Sequence, residues 1–317
     1  MKLGNKKFKV LVVGSSGLVG SSLGRNLIKS KKISEVVKSN RNDTDLFSIK
    51  ETKKLIENVK PDILIIAAAK VGGIYANNEL RTDFILENLK INTNLIEACI
   101  PFPNIKIINL GSSCIYPLDS PNPIKESYFM KGPLEPTNSP YAMAKLTAIE
   151  LGRSLHLQYG HDVLNLMPTN LYGPFDNFNS KYSHVIPGLI SRMESAKRDN
   201  QNEFKIWGSG KPLREFLFVD DLSNAIEFLI SQKYDIDLIN IGSGEEISIK
   251  NLALKIKNII GFDGELKFDS SKPDGNPRKL LDSTIINNLG WKAKTNLDQG
   301  IEKTYNWYLQ NYKNVRK

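Results

Sequence analysis

Three polar residues in the middle of the chain have the types and spacing needed to reduce a carbonyl group. Tyr141 and Lys145 lie four positions apart in a predicted helix, Tyr141–Tyr159, so both side chains project from one helix face. A lysine cation beside a phenol stabilises the phenolate, so we expect Lys145 to lower the pKa of Tyr141, which would donate a proton to a carbonyl oxygen receiving hydride. Ser112 follows a predicted strand and would hydrogen-bond the same oxygen. The alternative for Tyr141 is an amphipathic helix residue whose hydroxyl faces water.

A glycine-rich turn near the start of the chain is suited to hold the phosphates of a dinucleotide. It follows the predicted strand Phe8–Val13 and leads into the predicted helix Leu18–Ser30. Glycines at these positions permit a tight turn and close approach to a pyrophosphate, whose charge faces the helix N-terminus. The alternative is a plain strand-to-helix turn without a ligand. The residues of the turn are Gly14, Ser15, Ser16, Gly17, Leu18, Val19 and Gly20.

The end of the second predicted strand, Glu35–Lys38, indicates which dinucleotide would bind. A site selective for NAD places an Asp or Glu about twenty residues beyond the glycine turn, on the ribose hydroxyls. This chain has Asn40 and Arg41 there, which favours the 2′-phosphate of NADP(H). Asp45 follows and would face the adenine. The alternative is that Arg41 is an ordinary exposed arginine.

The segments that carry these residues alternate between strand and helix, which is typical of a parallel sheet covered by helices on both faces. We therefore predict an α/β fold, a Rossmann-type doubly wound parallel sheet with a smaller α/β lobe for the substrate. Residues 1–172 and 208–241 are predicted to form the NADP-binding domain, and residues 173–207 and 242–317 the substrate-binding lobe. The predicted strands are Phe8–Val13, Glu35–Lys38, Asp62–Ala68, Ile105–Leu110, Val163–Met167 and Leu238–Ile241. The predicted helices are Leu18–Ser30, Thr52–Asn58, Phe84–Cys99, Tyr141–Tyr159, Ser183–Lys197, Leu222–Ser231, Ile249–Ile260 and Leu297–Asn311.

Composition argues against several other classes of protein. The chain has 317 residues and a net charge of +9, but its lysines are scattered and it carries no nucleic-acid-binding signature, so we expect no nucleic-acid partner. No apolar run approaches the roughly 18 residues of a membrane span, and the N-terminal run is too short for a signal peptide, so we expect a cytoplasmic location. Two cysteines, Cys99 and Cys114, are too few for a disulfide framework or a typical zinc site, so we expect no bound metal.

The serine, the tyrosine, the lysine and the glycine turn together resemble the catalytic and cofactor set of short-chain dehydrogenases/reductases. Longer motifs, spread from Val10 to Tyr312, narrow the resemblance to the GDP-L-fucose synthases. These motifs are Ala67–Asn78, Leu110–Pro117, Met167–Asn177, Ser183–Pro187, Trp207–Phe216 and Ser271–Lys279. That family acts on GDP-4-keto-6-deoxy-D-mannose, inverts C3 and C5, and then reduces C4 with NADPH. It also implies a homodimer formed through the predicted helices Phe84–Cys99 and Tyr141–Tyr159.

The resemblance implies roles for five residues. Cys114 would be the base and His184 the acid of epimerisation. Tyr141 and Lys145 would serve the reduction, and Ser112 would position the keto oxygen. The chemistry is coherent, because the C3 and C5 protons flank a C4 ketone, and groups that hold the ketone for hydride transfer also stabilise an enolate. The alternatives are a small hydrophobic role for Cys114 and a surface position for His184.

Further site residues are implied by the resemblance. The cofactor would also contact Leu46, Leu110, Gly111, Ser112, Ser113, Tyr141, Lys145, Pro168, Thr169, Asn170, Leu171 and His184. The substrate would contact Arg192, Trp207, Arg214, Asp274 and Lys279. The alternative for these last residues is ordinary surface charge and packing. Some family members carry an arginine in the glycine turn that contacts a cofactor phosphate, whereas this chain has Ser15 and Ser16 there.

Two other functions stay open at this point. A related epimerase/reductase that acts on a GDP-4-keto-3,6-dideoxyhexose would use the same cysteine, histidine and tyrosine, because the two substrates differ by one hydroxyl. A non-catalytic NADP-binding protein of the same fold would be marked by a broken Tyr-x-x-x-Lys pattern or a missing serine. Both features are intact in this chain.

Overall fold

Apolar residues cluster in the strand segments because parallel strands covered by helices are buried on both faces. The structure, a computed structural model, describes residues 6–232, 234–271 and 274–315. Its strands, numbered along the chain, are β1 (Phe8–Val13), β2 (Ile33–Ser39), β3 (Ile63–Ile66), β4 (Lys106–Leu110), β5 (Val163–Pro168), β6 (Asn170–Tyr172), β7 (Glu203–Trp207), β8 (Leu213–Phe218), β9 (Leu238–Ile241), β10 (Glu246–Ser248), β11 (Glu265–Asp269) and β12 (Arg278–Lys279). Its helices are α1 (Leu18–Asn26), α2 (Ile49–Val59), α3 (Ile74–Glu79), α4 (Arg81–Cys99), α5 (Ser139–Tyr159), α6 (Val185–Arg198), α7 (Val219–Ile230), α8 (Ile249–Ile260), α9 (Thr284–Leu289) and α10 (Leu297–Asn311).

Six of these strands form one parallel sheet in the order β2-β1-β3-β4-β5-β9, which confirms the predicted doubly wound α/β fold. β1 pairs with β2 on one side and with β3 on the other. Successive strands are therefore added to one side of β1 and then to the other side, while all of them stay parallel. Such a change of side leaves a crevice at the carboxyl ends of the strands, where ligands bind in this class of fold. The glycine turn follows β1 at that edge, and Ser112 follows β4.

Helix boundaries follow local capping. The Ser48 hydroxyl accepts a hydrogen bond from Glu51 N at 3.3 Å, so α2 begins earlier than predicted. Ser248 caps α8 in the same way, and Gly261 ends that helix in the left-handed region, so α8 has its predicted bounds, Ile249–Ile260. The predicted end of the first helix was wrong, because a 3-10 turn, Leu27–Lys29, replaces its last turn.

The sequence did not predict the small strands of the second half, β6 to β8 and β10 to β12. β7 pairs in parallel with β11, a segment far along the chain, and β8 pairs with β6, β10 and β12. The members of the β8 sheet are between two and six residues long. Alternation of buried and exposed residues is too brief in such strands to be recognised, and their partners are distant in sequence.

Separate apolar clusters fix the layers. On β1, Val10 and Val12 pack with α1 and α7, whereas Leu11 and Val13 pack with α2 and α4 on the other face of the sheet. Another cluster joins α6, α8 and α10 in the second half. β8 lies outside the central sheet, although the predicted NADP-binding domain includes it, and its Leu217 still packs with the first cluster. The division into domains stays a prediction.

Three general features of the described residues bear on function. Among them, no helix has both the length and the apolar character needed to cross a bilayer. Within the same residues, no group of three or more His, Cys, Asp or Glu side chains is arranged to hold a metal ion. Both cysteines are free thiols: Cys99 is buried in the core, whereas Cys114 is half-buried at the edge of the sheet.

Candidate active site

The glycine turn after β1 forms a cradle of backbone atoms at the start of α1. Gly14 has a φ of 79°, which favours glycine, and its N–H donates to Ser39 O at 2.9 Å, which ties the turn to β2. A Cβ on Gly20 would lie 2.2 Å from Gly14 O, so α1 starts directly against the turn. The nearest neighbour of a Cβ on Gly17 would be Gly14 O, at 3.5 Å, so a side chain there would fill the cradle. The first turn of α1 has no acidic residue and no side-chain cap, so its N–H groups suit a pyrophosphate.

Arg41 follows β2 at the same edge of the sheet. Its side chain is 78% exposed, and its NH2 lies 3.5 Å from Glu87 Oε2 on α4. The Asp45 carboxylate accepts a hydrogen bond from the backbone N–H two residues further on, at 2.9 Å. Leu46 O accepts from Asn94 Nδ2 on α4, also at 2.9 Å. Arg41 is therefore at the cofactor edge, and Asp45 and Leu46 shape the loop that leads to α2.

Ser112, Tyr141 and Lys145 come together where β4 ends. The Ser112 hydroxyl is hydrogen-bonded to Tyr141, and it accepts from Cys114 N at 3.2 Å. Lys145 is buried, donates from Nζ to Leu110 O at 2.7 Å, and lies 5.8 Å from the centroid of the Tyr141 ring. Two hydroxyls that contact each other in this way can share one carbonyl oxygen between them.

The ionisation of these groups differs from the expectation drawn from the sequence. Burial raises the pKa of Tyr141, the nearby charge of Cys114 raises it further, and the hydrogen bond with Ser112 lowers it in part. The predicted net lowering of the Tyr141 pKa was wrong, because desolvation outweighs the favourable contacts, and desolvation also lowers the pKa of Lys145 to about 8. Tyr141 is therefore a protonated phenol at neutral pH, which is the form that donates a proton.

The sequence reasoning missed Asn138, which lies beside the thiol of Cys114. Asn138 Nδ2 donates to Cys114 Sγ at 3.7 Å, and its Oδ1 is buried with no hydrogen-bond partner among the described residues. Glu135 fixes this position, because its carboxylate accepts from the backbone N–H groups of Thr137 and Asn138 at 3.1 and 3.2 Å. A polar run directly before a catalytic helix was the available signal. The orphaned amide oxygen suits a hydroxyl donor of a ligand.

His184 occupies the N-cap of α6. Burial lowers the pKa of His184, and a hydrogen bond with the backbone of Gly72 partly raises it. A Cβ on Gly72 would lie 3.3 Å from the Phe84 ring, and that ring packs edge-on against Tyr141 with centroids 6.1 Å apart. The loop before α3 therefore connects His184 with the tyrosine.

The other predicted cofactor contacts lie at the ends of β4 and β5. A Cβ on Gly111 would lie 2.1 Å from the Met167 side chain, so the backbone approaches β5 closely there. Thr169 Oγ1 and Asn170 Nδ2 both donate to Glu215 O, at 3.2 and 2.8 Å. Further members of this edge are Leu110, Ser113 and Pro168, which are buried, and Leu171, which is half-buried.

The two arginines predicted to contact the substrate are both partly desolvated. The Arg192 guanidinium lies 5.1 Å from the Trp207 ring and 5.2 Å from the Phe204 ring. Arg214, on β8, lies close enough to Cys114 for their charges to interact. Burial lowers the pKa of both arginines, so each is a partly desolvated cation that attracts an anionic ligand.

Asp274 and Lys279 have different surroundings. Asp274 accepts hydrogen bonds from Ser209 N at 2.6 Å and from Ser209 Oγ at 2.7 Å, and these contacts lower the pKa of its carboxyl group. Its side chain therefore shapes the loop between β7 and β8. Lys279 lies on β12 directly opposite Arg214, so the two basic residues are neighbours across paired strands.

The sequence and the fold are both similar to those of known proteins. Residues 10–242 match the sequence model of the NAD dependent epimerase/dehydratase family. The chain belongs to this family. It is 46% identical over 316 residues to the "Probable GDP-L-fucose synthase 1" of Oryza sativa subsp. japonica, which covers 99% of this chain and 96% of the relative. It is 41% identical over 319 residues to the GDP-L-fucose synthase of Escherichia coli (strain K12), with 98% and 99% covered.

The three-dimensional structure is also similar to that of a solved relative. The crystal structure of a GDP-L-fucose synthetase from Naegleria fowleri bound to NADP aligns with a TM-score of 0.90 and 32% sequence identity. The alignment covers 100% of this chain and 97% of that chain. The small sheets of the second half therefore belong to the shared fold as much as the central sheet does.

Proposed function

We propose that this chain is a GDP-L-fucose synthase, which converts GDP-4-keto-6-deoxy-D-mannose to GDP-L-fucose with NADPH. The observation that carries the proposal is the half-buried thiol of Cys114 beside the hydroxyl pair of Ser112 and Tyr141. A plain carbonyl reductase needs the hydroxyl pair alone, whereas an epimerase needs a base next to the carbons that flank the ketone. Full-length similarity to GDP-L-fucose synthases supports the same assignment.

In the reduction, side chains hold the C4 oxygen and supply its proton. Ser112 donates a hydrogen bond to that oxygen, and Tyr141, protonated because burial raises its pKa, delivers the proton. NADPH, when bound, supplies the hydride. Lys145, held by its 2.7 Å contact with Leu110 O, places a positive charge near the phenolate that remains on Tyr141.

In the epimerisation, the same oxygen site holds an enolate. Removal of the C3 or C5 proton puts negative charge on the C4 oxygen, where Ser112 and Tyr141 donate hydrogen bonds. Cys114 removes the proton, with Arg214 near enough for their charges to interact. His184 returns a proton from the other side, and its hydrogen bond with the backbone of Gly72 helps to position the imidazole.

The GDP group would be bound by the substrate side of the site. Arg192 and Arg214 supply forked donors that match the oxygens of a diphosphate. Trp207 is 45% exposed beside Arg192 and offers an aromatic face to a ring of the substrate. Lys279, opposite Arg214 on the paired strand, adds a further positive charge.

A homodimer through α4 and α5 completes the proposal. Leu86 on α4 and Met143 on α5 are 49% and 47% exposed, so both helices present apolar side chains that a partner would cover. Sedimentation velocity should show a dimer for the wild-type chain and a monomer for Leu86→Glu. A monomeric wild-type chain would contradict the proposed homodimer. The cytoplasmic location stays a prediction from the sequence, and cell fractionation tests it.

The function is tested by identifying the product. The protein is incubated with GDP-4-keto-6-deoxy-D-mannose and NADPH, and the stereochemistry at C3, C4 and C5 is read by NMR. GDP-L-fucose is the expected product, and reduction without inversion at C3 and C5 would contradict the proposal. A parallel reaction with the 3,6-dideoxy analogue separates the alternative function, which a higher kcat/KM for the analogue would favour.

A further inference from the structure

Glu87 on α4 holds two cations at the cofactor edge. Its Oε2 lies 3.5 Å from Arg41 NH2, and its Oε1 lies 2.5 Å from Lys70 Nζ. Lys70 Nζ also lies 3.4 Å from Asp83 Oδ2. The side chains of Glu87 and Lys70 are 24% and 22% exposed, so this part of the cluster is enclosed, whereas Arg41 is open to solvent.

The sheet order places this cluster across the glycine turn. Arg41 follows β2 and Lys70 follows β3, and β1 lies between these two strands. The N–H of Gly14 donates to Ser39 O at the end of β2, and a Cβ on Gly14 would lie 2.5 Å from the backbone just beyond β3. Arg41 and Lys70 therefore stand on either side of the cradle, and Glu87 bridges them.

We propose that Glu87 sets the cofactor selectivity of this chain. Its carboxylate competes with the 2′-phosphate of NADPH for Arg41, and so it weakens the preference for NADPH over NADH. The inference rests on the assignment of Arg41 to the 2′-phosphate, which belongs to the proposed function.

The direction of the effect follows from charge. NADPH differs from NADH by a phosphate group with a charge close to −2, which Glu87 repels and Arg41 attracts. Lys70 holds the Glu87 carboxylate at 2.5 Å, so the carboxylate stays near Arg41 when the 2′-phosphate binds there. The phosphate therefore meets a negative charge as well as the arginine. The glycine turn offers Ser15 and Ser16, so it adds no arginine of its own to offset the repulsion.

The test compares dissociation constants for NADPH and NADH, measured by fluorescence titration of the full chain without the sugar substrate. The variants are Glu87→Gln, Arg41→Ala and the double variant. Glu97→Gln is the matched control, because Glu97 lies on the same helix in an exposed ion pair with Lys53 at 2.7 Å. In Glu87→Gln, the dissociation constant for NADPH should fall roughly three- to tenfold, whereas that for NADH should change by less than about twofold.

The proposal is tested by comparing the ratio of the NADPH and NADH dissociation constants across the variants. Glu97→Gln should leave the ratio of the two constants unchanged, and Glu87→Gln should alter the ratio by a much smaller factor once Arg41 is Ala. An unchanged or reduced preference in Glu87→Gln, or an effect of undiminished size without Arg41, would overturn the role of Glu87. If Arg41→Ala itself leaves the ratio unchanged, the assignment of Arg41 fails and this inference fails with it. Product formation is measured separately, so the proposed function stands or falls on its own test.

Discussion

The cofactor edge of the sheet and the proposed substrate side in the second half differ in the groups that would hold a ligand. At the cofactor edge, backbone forms the cradle: a Cβ on Gly14 or Gly20 would clash with backbone atoms, whereas a Cβ on Gly17 would occupy the cradle itself. On the substrate side, long charged side chains do the work, and Arg192 and Arg214 are held there in partly desolvated positions. The first region is fixed by chain geometry, whereas the second depends on where individual cations are placed.

Mutations in the two regions should therefore have different consequences for folding and for ligand binding. A side chain added at Gly14 or Gly20 would clash with backbone atoms, so folding and cofactor binding should be lost together. A cation removed from the substrate side leaves the fold intact, because burial of a charge is unfavourable unless a ligand compensates it. The predictions below test that contrast, from the largest expected effect to the smallest.

Gly20→Ala should have the largest effect. Its Cβ would lie 2.2 Å from Gly14 O, and a backbone atom cannot move aside as a flexible side chain can. We expect loss of detectable NADPH binding and a stability loss of roughly 1–3 kcal/mol or more. Gly24→Ala, on the same helix, is the control, since its Cβ would meet the end of the Lys38 side chain at 3.1 Å. Thermal melts and NADPH titrations of both variants make the comparison, and normal NADPH binding by Gly20→Ala would refute the backbone cradle.

Tyr141→Phe should have the next largest effect. It removes the proton donor and keeps the ring that packs on Phe84, so hydride transfer should fall about 10²- to 10⁴-fold while NADPH affinity changes little. Single-turnover NADPH oxidation measures the step. Tyr159→Phe, at the exposed end of the same helix, should react at the wild-type rate. Unimpaired oxidation by Tyr141→Phe would exclude it as the proton donor.

Arg214→Met should weaken substrate binding without harming the fold. Loss of a charge-assisted contact with a phosphate corresponds to roughly 1.5–3 kcal/mol, so KM for the sugar nucleotide should rise about ten- to hundredfold. The melting temperature should not fall, because burial already disfavours the Arg214 charge. Arg278→Met on the adjacent strand, whose arginine pairs with Glu246 at 2.9 Å, is the control. A large loss of stability in Arg214→Met would place this arginine among the structural residues instead.

Lys145→Met should change the pH dependence of stability. Burial lowers the pKa of Lys145 from 10.5 to about 8, so the unfolded chain binds more protons between these values. The contribution of Lys145 to stability is therefore present above pH 10.5 and is lost as the pH falls towards 8. Urea melts of wild type and Lys145→Met at pH 7 and pH 10.5 test this. The wild type should gain stability relative to the variant at the higher pH, and a constant difference would contradict the lowered pKa.

The same contrast explains what the sequence predicted well. The glycine turn, Ser112 and the Tyr141–Lys145 pair sit in local patterns, namely a strand followed by a turn or two positions on one helix face. Such patterns predicted the parallel sheet and the elements around the cofactor edge. The predicted direction of the Tyr141 pKa shift was wrong, because the sequence shows the spacing of Tyr141 and Lys145 but not their desolvation.

The substrate side was harder to predict because distant segments build it. Arg214 and Lys279 become neighbours only through the pairing of β8 with β12, two strands far apart in the chain. Asn138 contacts Cys114 because Glu135 accepts a hydrogen bond from Asn138 N and so fixes the loop that precedes α5. Resemblance to a family suggested several of these residues, but only the three-dimensional structure shows what each one contacts.

The central claim is that one oxygen site serves both epimerisation and reduction, with Cys114 needed for the first reaction alone. Cys114→Ser is incubated with GDP-4-keto-6-deoxy-D-mannose in D₂O, with and without NADPH, and exchange of the C3 and C5 protons is followed by NMR. His184→Gln serves as a comparison, in which inversion should slow while some exchange continues. We predict that Cys114→Ser stops exchange at both carbons yet still binds NADPH and reduces some unepimerised sugar at C4. Exchange of both protons at the wild-type rate in Cys114→Ser would contradict the claim.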